Sequence, residues 1–342
     1  MSKHRIAVIG LGMALGPHLK SLEDLRDRVE IAACYTPSEA RRAAFAAKHA
    51  HPVTADLDAV LADNSIDLAM ILTPPGTHLA LVEACAAAGK HVLVEKPIEV
   101  TTERARAAVA AMQKAQRQFA VMLQHRFRDA SRKLEAVVKS GAMGPLISGS
   151  AQIRWCRPPE YYAQPGRGMK SRDGGGVLIT QAIHTLDLFQ HLAGPIAKVT
   201  AFARTSPLRR IDTEDMAGGG IEFENGAIGT VDATTVAYPG FPERIELACA
   251  KATAVLNAET LDIYWQDGRH DRHEGAVSKS GGADPMAFSH DAHKALITDF
   301  IDAVDANREP AVSGRSALRV QVLIDALLQS AQTQKPVALP ST

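Results

Sequence analysis

The sequence predicts an α/β fold in two parts. The N-terminal part is a Rossmann domain with a doubly wound parallel sheet, and the C-terminal part is an α+β domain on a mainly antiparallel sheet. Three observations predict this. Short all-apolar runs alternate with helical segments as far as residue 125, the order that builds a parallel sheet with helices on both faces. A glycine turn, Gly10-Leu11-Gly12, follows the first apolar run. Beyond residue 125 the rhythm changes to strand-like stretches separated by turn signals. The boundary is therefore set at 1–125 and 126–342, with packing of the closing helices back on the first domain left open.

Ile6–Ile9 is an apolar run with the pattern of a strand buried on both faces. A helix follows over 17–25, with Pro17 suited to its first turn. Val29–Cys34 reads as a strand, 39–49 as an alanine-rich helix and 57–61 as a short helix. Leu68–Leu72 is a buried strand, and Thr73-Pro74-Pro75-Gly76 turns the chain into a helix over 79–88. A strand at 92–94, a helix at 102–116 and a strand at 119–123 complete the first half. In the second half an amphipathic segment spans 177–192 after Gly174-Gly175-Gly176. Strands are expected at 199–203, 217–223, 227–236, 244–249, 253–257 and 261–265, with turns such as Glu224-Asn225-Gly226 between them. A loop is expected at 275–285, and closing helices at 292–306 and 316–331.

Composition narrows the function. Lys plus Arg and Asp plus Glu are 38 each, so no strong field selects nucleic acid or an anionic membrane. No run approaches the ~20 apolar residues of a membrane span, and the residues before Ile6 lack the apolar core of a signal peptide. Cys34, Cys85, Cys156 and Cys249 are far apart and form no Cys-x-x-Cys pair, the pattern of reduced thiols. A cytoplasmic protein is expected.

Gly10-Leu11-Gly12 lies between a strand and a helix, the context of a dinucleotide fingerprint. Gly10 makes the tight turn, Gly12 admits the diphosphate, and the N–H groups around Met13 and Ala14 face that anion. The third glycine is displaced, because Leu15 stands where it belongs and Gly16 follows. The second strand ends Thr36-Pro37-Ser38 without an acid at its tip. Thr36 and Ser38 can donate to a 2′-phosphate and Arg41 or Arg42 can balance its charge, which favours NADP. Glu39 nearby keeps NAD open. Thr73, Pro74, Pro75 and His78 are expected to wall the cofactor from another strand end. Glu95-Lys96-Pro97 delivers an acid and an amine to the same rim, where open α/β sheets bind ligands.

Taken with Gln124-His125-Arg126-Phe127, with His18, and with His184 after the glycine triplet, these motifs resemble the glucose–fructose oxidoreductase / inositol dehydrogenase / rhizopine-catabolism (Gfo/Idh/MocA) family. The resemblance runs nearly the whole chain, to Ser313-Gly314-Arg315-Ser316-Ala317. It implies a large open sheet in the second domain, assembly as a homodimer or homotetramer, and NAD(P)-dependent hydride transfer at a hydroxyl or keto carbon of a sugar, polyol or nucleotide sugar. The family's catalytic lysine falls on Lys96 and its histidine on His184. Many members carry an aspartate four residues before that histidine, where this chain has Thr180.

The chemistry assigns roles. His184 can exchange a proton near neutral pH, and Lys96 can stabilise developing alkoxide charge. The reverse assignment stays open, with His184 preferred as acid/base. Glu95 either holds Lys96 or contacts the cofactor, and Gln124 borders the nicotinamide. Arg154, Trp155, Arg157, Tyr161, Tyr162, Arg167 and Arg172 form a basic and aromatic stretch of the kind that suits sugar rings and carboxylate or phosphate groups, and Arg126, Arg154, Trp155, Tyr162, Arg167 and Thr180 are the expected substrate contacts. Asp187 could orient His184 or serve the helix. The pairs His270/His273 and His290/His293 lack neighbouring carboxylates in a metal pattern, so no metal is expected. Two other functions compete: a ligand sensor that has lost catalysis, which Thr180 favours, and a redox-cofactor-dependent glycosidase.

Overall fold

A computed structural model describes residues 3–164, 167–275 and 289–340. The predicted loop at 275–285 lies outside the described residues apart from Gly275. The chain divides into two compact units, Met1–Met122 with His290–Leu318, and Leu123–Ser289 with Arg319–Thr342. The division thus falls at 122/123 instead of 125/126, and residues 290–318 join the first unit.

The first unit carries strands β1 (His4–Ile9), β2 (Val29–Tyr35), β3 (Val53–Thr54), β4 (Leu68–Ile71), β5 (His91–Val94) and β6 (Phe119–Val121). Helices α1 (Leu15–Asp24), α2 (Glu39–Ala46), α3 (Leu57–Ala62), α4 (His78–Ala87) and α5 (Thr102–Lys114) alternate with them. The strands pair in parallel in the order β3-β2-β1-β4-β5-β6. The order reverses between β1 and β4, which places the ligand crevice at their carboxyl ends. All four residues of β4 are fully shielded from solvent, as a strand covered by helices on both faces must be. Side chains of Ser38, Asp56 and Thr101 cap α2, α3 and α5, satisfying N–H groups that the helix leaves open. The helix Asp291–Asp305 buries Leu296, Ile297, Phe300 and Ile301, one face at helical spacing. Ion pairs from Arg28 to Asp302 and Asp305 tie it to the sheet.

The second unit begins with α6 (Asp129–Lys139), β7 (Leu146–Arg154) and the short helices α7 (Pro159–Tyr162) and α8 (Lys170–Asp173). A π-helical turn, Leu178–Ala182, runs into α9 (Ile183–Ala193). Strands β8 (Ile196–Arg204), β9 (Met216–Phe223), β10 (Ile228–Thr234), β11 (Arg244–Cys249), β12 (Ala252–Asn257), β13 (Thr260–Trp265) and β14 (His270–Glu274) follow. After helices α10 (Asp291–Asp305) and α11 (Gly314–Thr333), β15 (Val337–Ala338) completes a nine-stranded sheet in the order β14-β13-β12-β11-β7-β10-β9-β8-β15. Within this second sheet, only β7 and β10 pair in parallel among the described strands. One sheet face packs on α9, where Gly149 admits the ring of Phe189; the other is open. No helix among the described residues is long and apolar enough to cross a membrane.

Candidate active site

In the first unit, the glycine turn meets the expected fingerprint geometry. Gly10 has φ +107, and a Cβ there would stand 2.9 Å from the Leu72 carbonyl carbon and from Thr73 Cγ2, so only glycine closes the turn. A Cβ on Gly12 would meet no described atom within 4 Å, which leaves open space above the backbone. Helix α1 starts there with Ala14 at its N-cap and no side-chain cap. Uncapped N–H groups beside open space fit a cofactor diphosphate, and Met13 is 56% exposed beside them. Gly16 is exposed and plays no packing part; Leu19 and Leu22 cover the sheet side of α1 instead.

At the end of β2, Ser38 and Arg42, two of the groups considered for NADP, make local contacts. Ser38 Oγ accepts from Arg41 N at 3.4 Å, and Arg42 donates to the Thr36 carbonyl at 2.8 Å. The Thr36 side chain is buried and Arg41 is exposed. Thr73 Oγ1 accepts from Thr77, and Pro74 and Pro75 open the turn into α4. His78 corrects its expectation. It is fully buried, with Nδ1 3.0 Å from the Pro97 carbonyl and Nε2 2.8 Å from the Thr73 carbonyl. It joins the loops after β4 and β5 and presents no atom to a cofactor.

Glu95 is the hub of this rim. Its Oε2 accepts from the backbone N–H of Lys96 at 2.9 Å, and its Oε1 lies 2.7 Å from His18 Nε2. Burial alone would raise its pKa, but the hydrogen bond with His18 and the neighbouring His18, Lys96 and His293 hold it down at about 2. The carboxylate thus bonds the backbone from which half-buried Lys96 projects. His293 of α10 meets His18 edge-on at 5.2 Å. Ligating atoms of His18, Glu95 and His293 lie within 4.8 Å of one another. The sequence hid this carboxylate–histidine grouping because it joins residues 18, 95 and 293. Ligands of a tetrahedral zinc stand roughly 3.3 Å apart, and the His18–Glu95 separation is that of a hydrogen bond, so the group is built here as a hydrogen-bonded network.

In the second unit, His184 is buried on α9 and stacks on His125 at 4.9 Å. The π-helical turn before it, a device common at functional sites, carries Thr180. Thr180 Oγ1 donates to the Gly176 carbonyl at 2.6 Å and also meets Gln181 Oε1. Gln181 Nε2 in turn donates to the Tyr161 hydroxyl at 3.1 Å. Glu214, which nothing in the sequence singled out, holds the start of the segment. Its carboxylate accepts from Gly176 N and Leu178 N at 3.1 Å each, and its carbonyl accepts from Val177 N at 2.8 Å. A Cβ on Gly176 would fall 1.8 Å from that carbonyl oxygen, which accounts for the last glycine of the triplet.

Three substrate expectations change. Arg126 is buried and forks Asp187 with bonds of 2.7 and 2.5 Å, so Asp187 serves Arg126 and the guanidinium is committed to a bidentate ion pair. Arg154 points to the open face of the sheet and pairs with Asp232, because strand alternation sends residues 150, 152 and 154 away from α9. Tyr162 lies 2.9 Å from the Thr235 hydroxyl and beneath Arg209. Trp155 and Arg167 do come together, with two more residues of the same basic and aromatic stretch: Arg157 lies 5.0 Å over Trp155 and 5.6 Å over Tyr161, and Arg167 lies 4.9 Å over Tyr161. Gln124 opens the single helical turn that carries His125. His270 and His273 lie on β14 and bond Asp262 and Asp129.

Residues 4–123 match the model of the GFO/IDH/MocA oxidoreductase family with an NAD-binding Rossmann fold, and residues 131–255 match that family's C-terminal domain. The D-apiose dehydrogenase of Paraburkholderia graminis is 27% identical over 98% of this chain and 89% of its own length. The myo-inositol 2-dehydrogenase of Thermotoga maritima is 25% identical over 98% of each. The structure of the WlbA dehydrogenase from Bordetella pertussis, in complex with NADH and UDP-GlcNAcA, superposes with a TM-score of 0.84 at 27% identity, covering all of both chains. The chain belongs to the GFO/IDH/MocA family of oxidoreductases with an NAD-binding Rossmann fold.

Proposed function

We propose that the protein is a dehydrogenase that moves a hydride between a nicotinamide cofactor and a hydroxyl-bearing carbon of a sugar, polyol or nucleotide sugar. The observation that carries this reading is the Glu95 clamp, which sets Lys96 on the strand rim that also bears the Gly10–Gly12 turn. The dehydrogenase relatives act on sugars and polyols by name, and one of them holds NADH with a nucleotide sugar. When bound, the cofactor accepts or supplies the hydride. Lys96 stabilises the alkoxide charge that develops on the substrate oxygen, and His184, seated against His125, exchanges its proton.

For the dinucleotide we read NAD in place of the NADP that the sequence favoured. Arg42 donates to the Thr36 carbonyl, Thr36 is buried, and the relative's complex holds NADH. A dimer or tetramer fits the open sheet face, where Phe202, Ile228 and Tyr264 are each at least half exposed on one side. The four free thiols suit a reducing cytoplasm. Thr180 favours a sensor that keeps the fold, while Lys96 and His184 together favour the enzyme.

A spectrophotometric screen of purified protein with NAD and NADP against sugars, polyols and sugar nucleotides tests the reading. Lys96→Ala is expected to lower kcat roughly 100- to 1,000-fold with cofactor affinity kept. Near-normal turnover in that variant would sink the mechanism.

A further inference from the structure

Orphan donors gather in one place in the second unit. Trp155 Nε1, Arg157 Nε and Arg167 Nε are buried with no hydrogen-bond partner among the described residues. All are donors, so whatever completes them must bring acceptors. Arg157 is the extreme case: it is 8% exposed, lies over the rings of Trp155 and Tyr161, and has no carboxylate partner among the described residues. Arg167, on the Tyr161 ring as well, reaches Asp173 only at 3.6 Å. A buried guanidinium without a counter-charge is costly, and structures retain such a group where a ligand completes it. Burial lowers the proton affinity of Arg157, and Arg167 lowers it further, an effect that an anion alongside would reverse.

The cluster is wired to the catalytic helix. The Tyr161 hydroxyl accepts from Gln181, and Gln181 meets the Thr180 hydroxyl one turn before His184. Thr180 gains a physical meaning from this. A carboxylate at 180, as in many chains this one resembles, would place negative charge beside the cluster and repel an acidic substrate. Threonine leaves the charge uncompensated.

We propose that Arg157 and Arg167, stacked around Tyr161, form a subsite for an anionic group, and that the substrate is a sugar derivative bearing a carboxylate or a phosphate. The substrate assignment rests on the dehydrogenase reading; the anion subsite does not.

The test pairs binding with turnover. Glucuronate, glucose phosphate and glucose are titrated calorimetrically into wild type, Arg157→Gln and Arg157→Lys, and NADH formation is followed for the same set. One of the two anions is expected to bind wild type at least tenfold more tightly than glucose, and the better one separates carboxylate from phosphate. Arg157→Gln should shrink that preference roughly 10- to 100-fold, and Arg157→Lys should restore part of it, with circular dichroism confirming that both variants fold. Equal affinity for anions and glucose in wild type, or a preference that survives Arg157→Gln, overturns the subsite. Anion binding that depends on Arg157, with no NADH formed from any substrate, leaves the subsite standing and defeats the dehydrogenase reading instead.

Discussion

Glu95 shows how one carboxylate can serve both stability and chemistry. Its folded pKa of about 2 lies well below its ordinary 4.5, so its stabilising contribution is full above about pH 4.5 and is lost as pH falls toward 2. The contribution is on the order of 3 kcal/mol. Denaturation curves of wild type and Glu95→Gln should therefore separate above pH 4.5 and converge near pH 2; parallel curves across that range would remove the clamp. At the same scale, His184→Asn should lower kcat roughly 100-fold with cofactor affinity kept. Near-normal kcat in that variant would remove His184 as the acid/base. Motif order singles out Lys96 and His184 in the sequence, and the burial of His184 on a helix was legible there. The bonds of His18 to Glu95 and of Glu214 to Gly176 and Leu178 were not, because they join distant segments and no spacing rule links them. Arg126 and Arg154 misled for the same reason: a sequence shows a guanidinium but not the aspartate that occupies it.

Among the elements, strands with all-apolar runs such as β1, β4 and β5 were legible, since burial on both faces demands that composition. Strand β7 was missed. Its inward positions are Gly149, Ala151 and Ile153, too small for a clear alternation, because Phe189 of α9 occupies the space. Strand β14 was missed because it is polar throughout, as suits an edge. The segment leading to His184 read as an amphipathic helix, but its π-helical turn depends on the Glu214 anchor and leaves no mark in periodicity. Gly176→Ala drives a methyl into the Glu214 carbonyl and should cost ~1–3 kcal/mol, with kcat falling as the His184 segment shifts. A variant with an unchanged urea midpoint and unchanged kcat would show that the anchor does not position the site.

For the whole molecule, the order of domains followed from the change in rhythm near residue 125, while the return of α10 to the first unit did not. The apolar face of that helix carries no address in the sequence, and its ion pairs of Asp302 and Asp305 with Arg28 join residues too far apart for any spacing rule to link. The open sheet face makes assembly testable. Phe202→Lys with Ile228→Lys leaves the inward core untouched and should move the sedimentation mass toward one chain; an unchanged mass would place the interface elsewhere.

The nine-stranded sheet has its earliest strand near its centre. Strands β8 to β10 and β11 to β14 are each joined to sequence neighbours, so each group can assemble through local contacts, whereas β7 must find β10 and β11 across long separations. Long-range pairing of this kind is slow because loop closure precedes its reward. The order of assembly is then two meanders first and β7 between them last. In pulsed hydrogen exchange during refolding, amides of residues 148–154 should gain protection after those of β12 and β13, and simultaneous protection would refute that order.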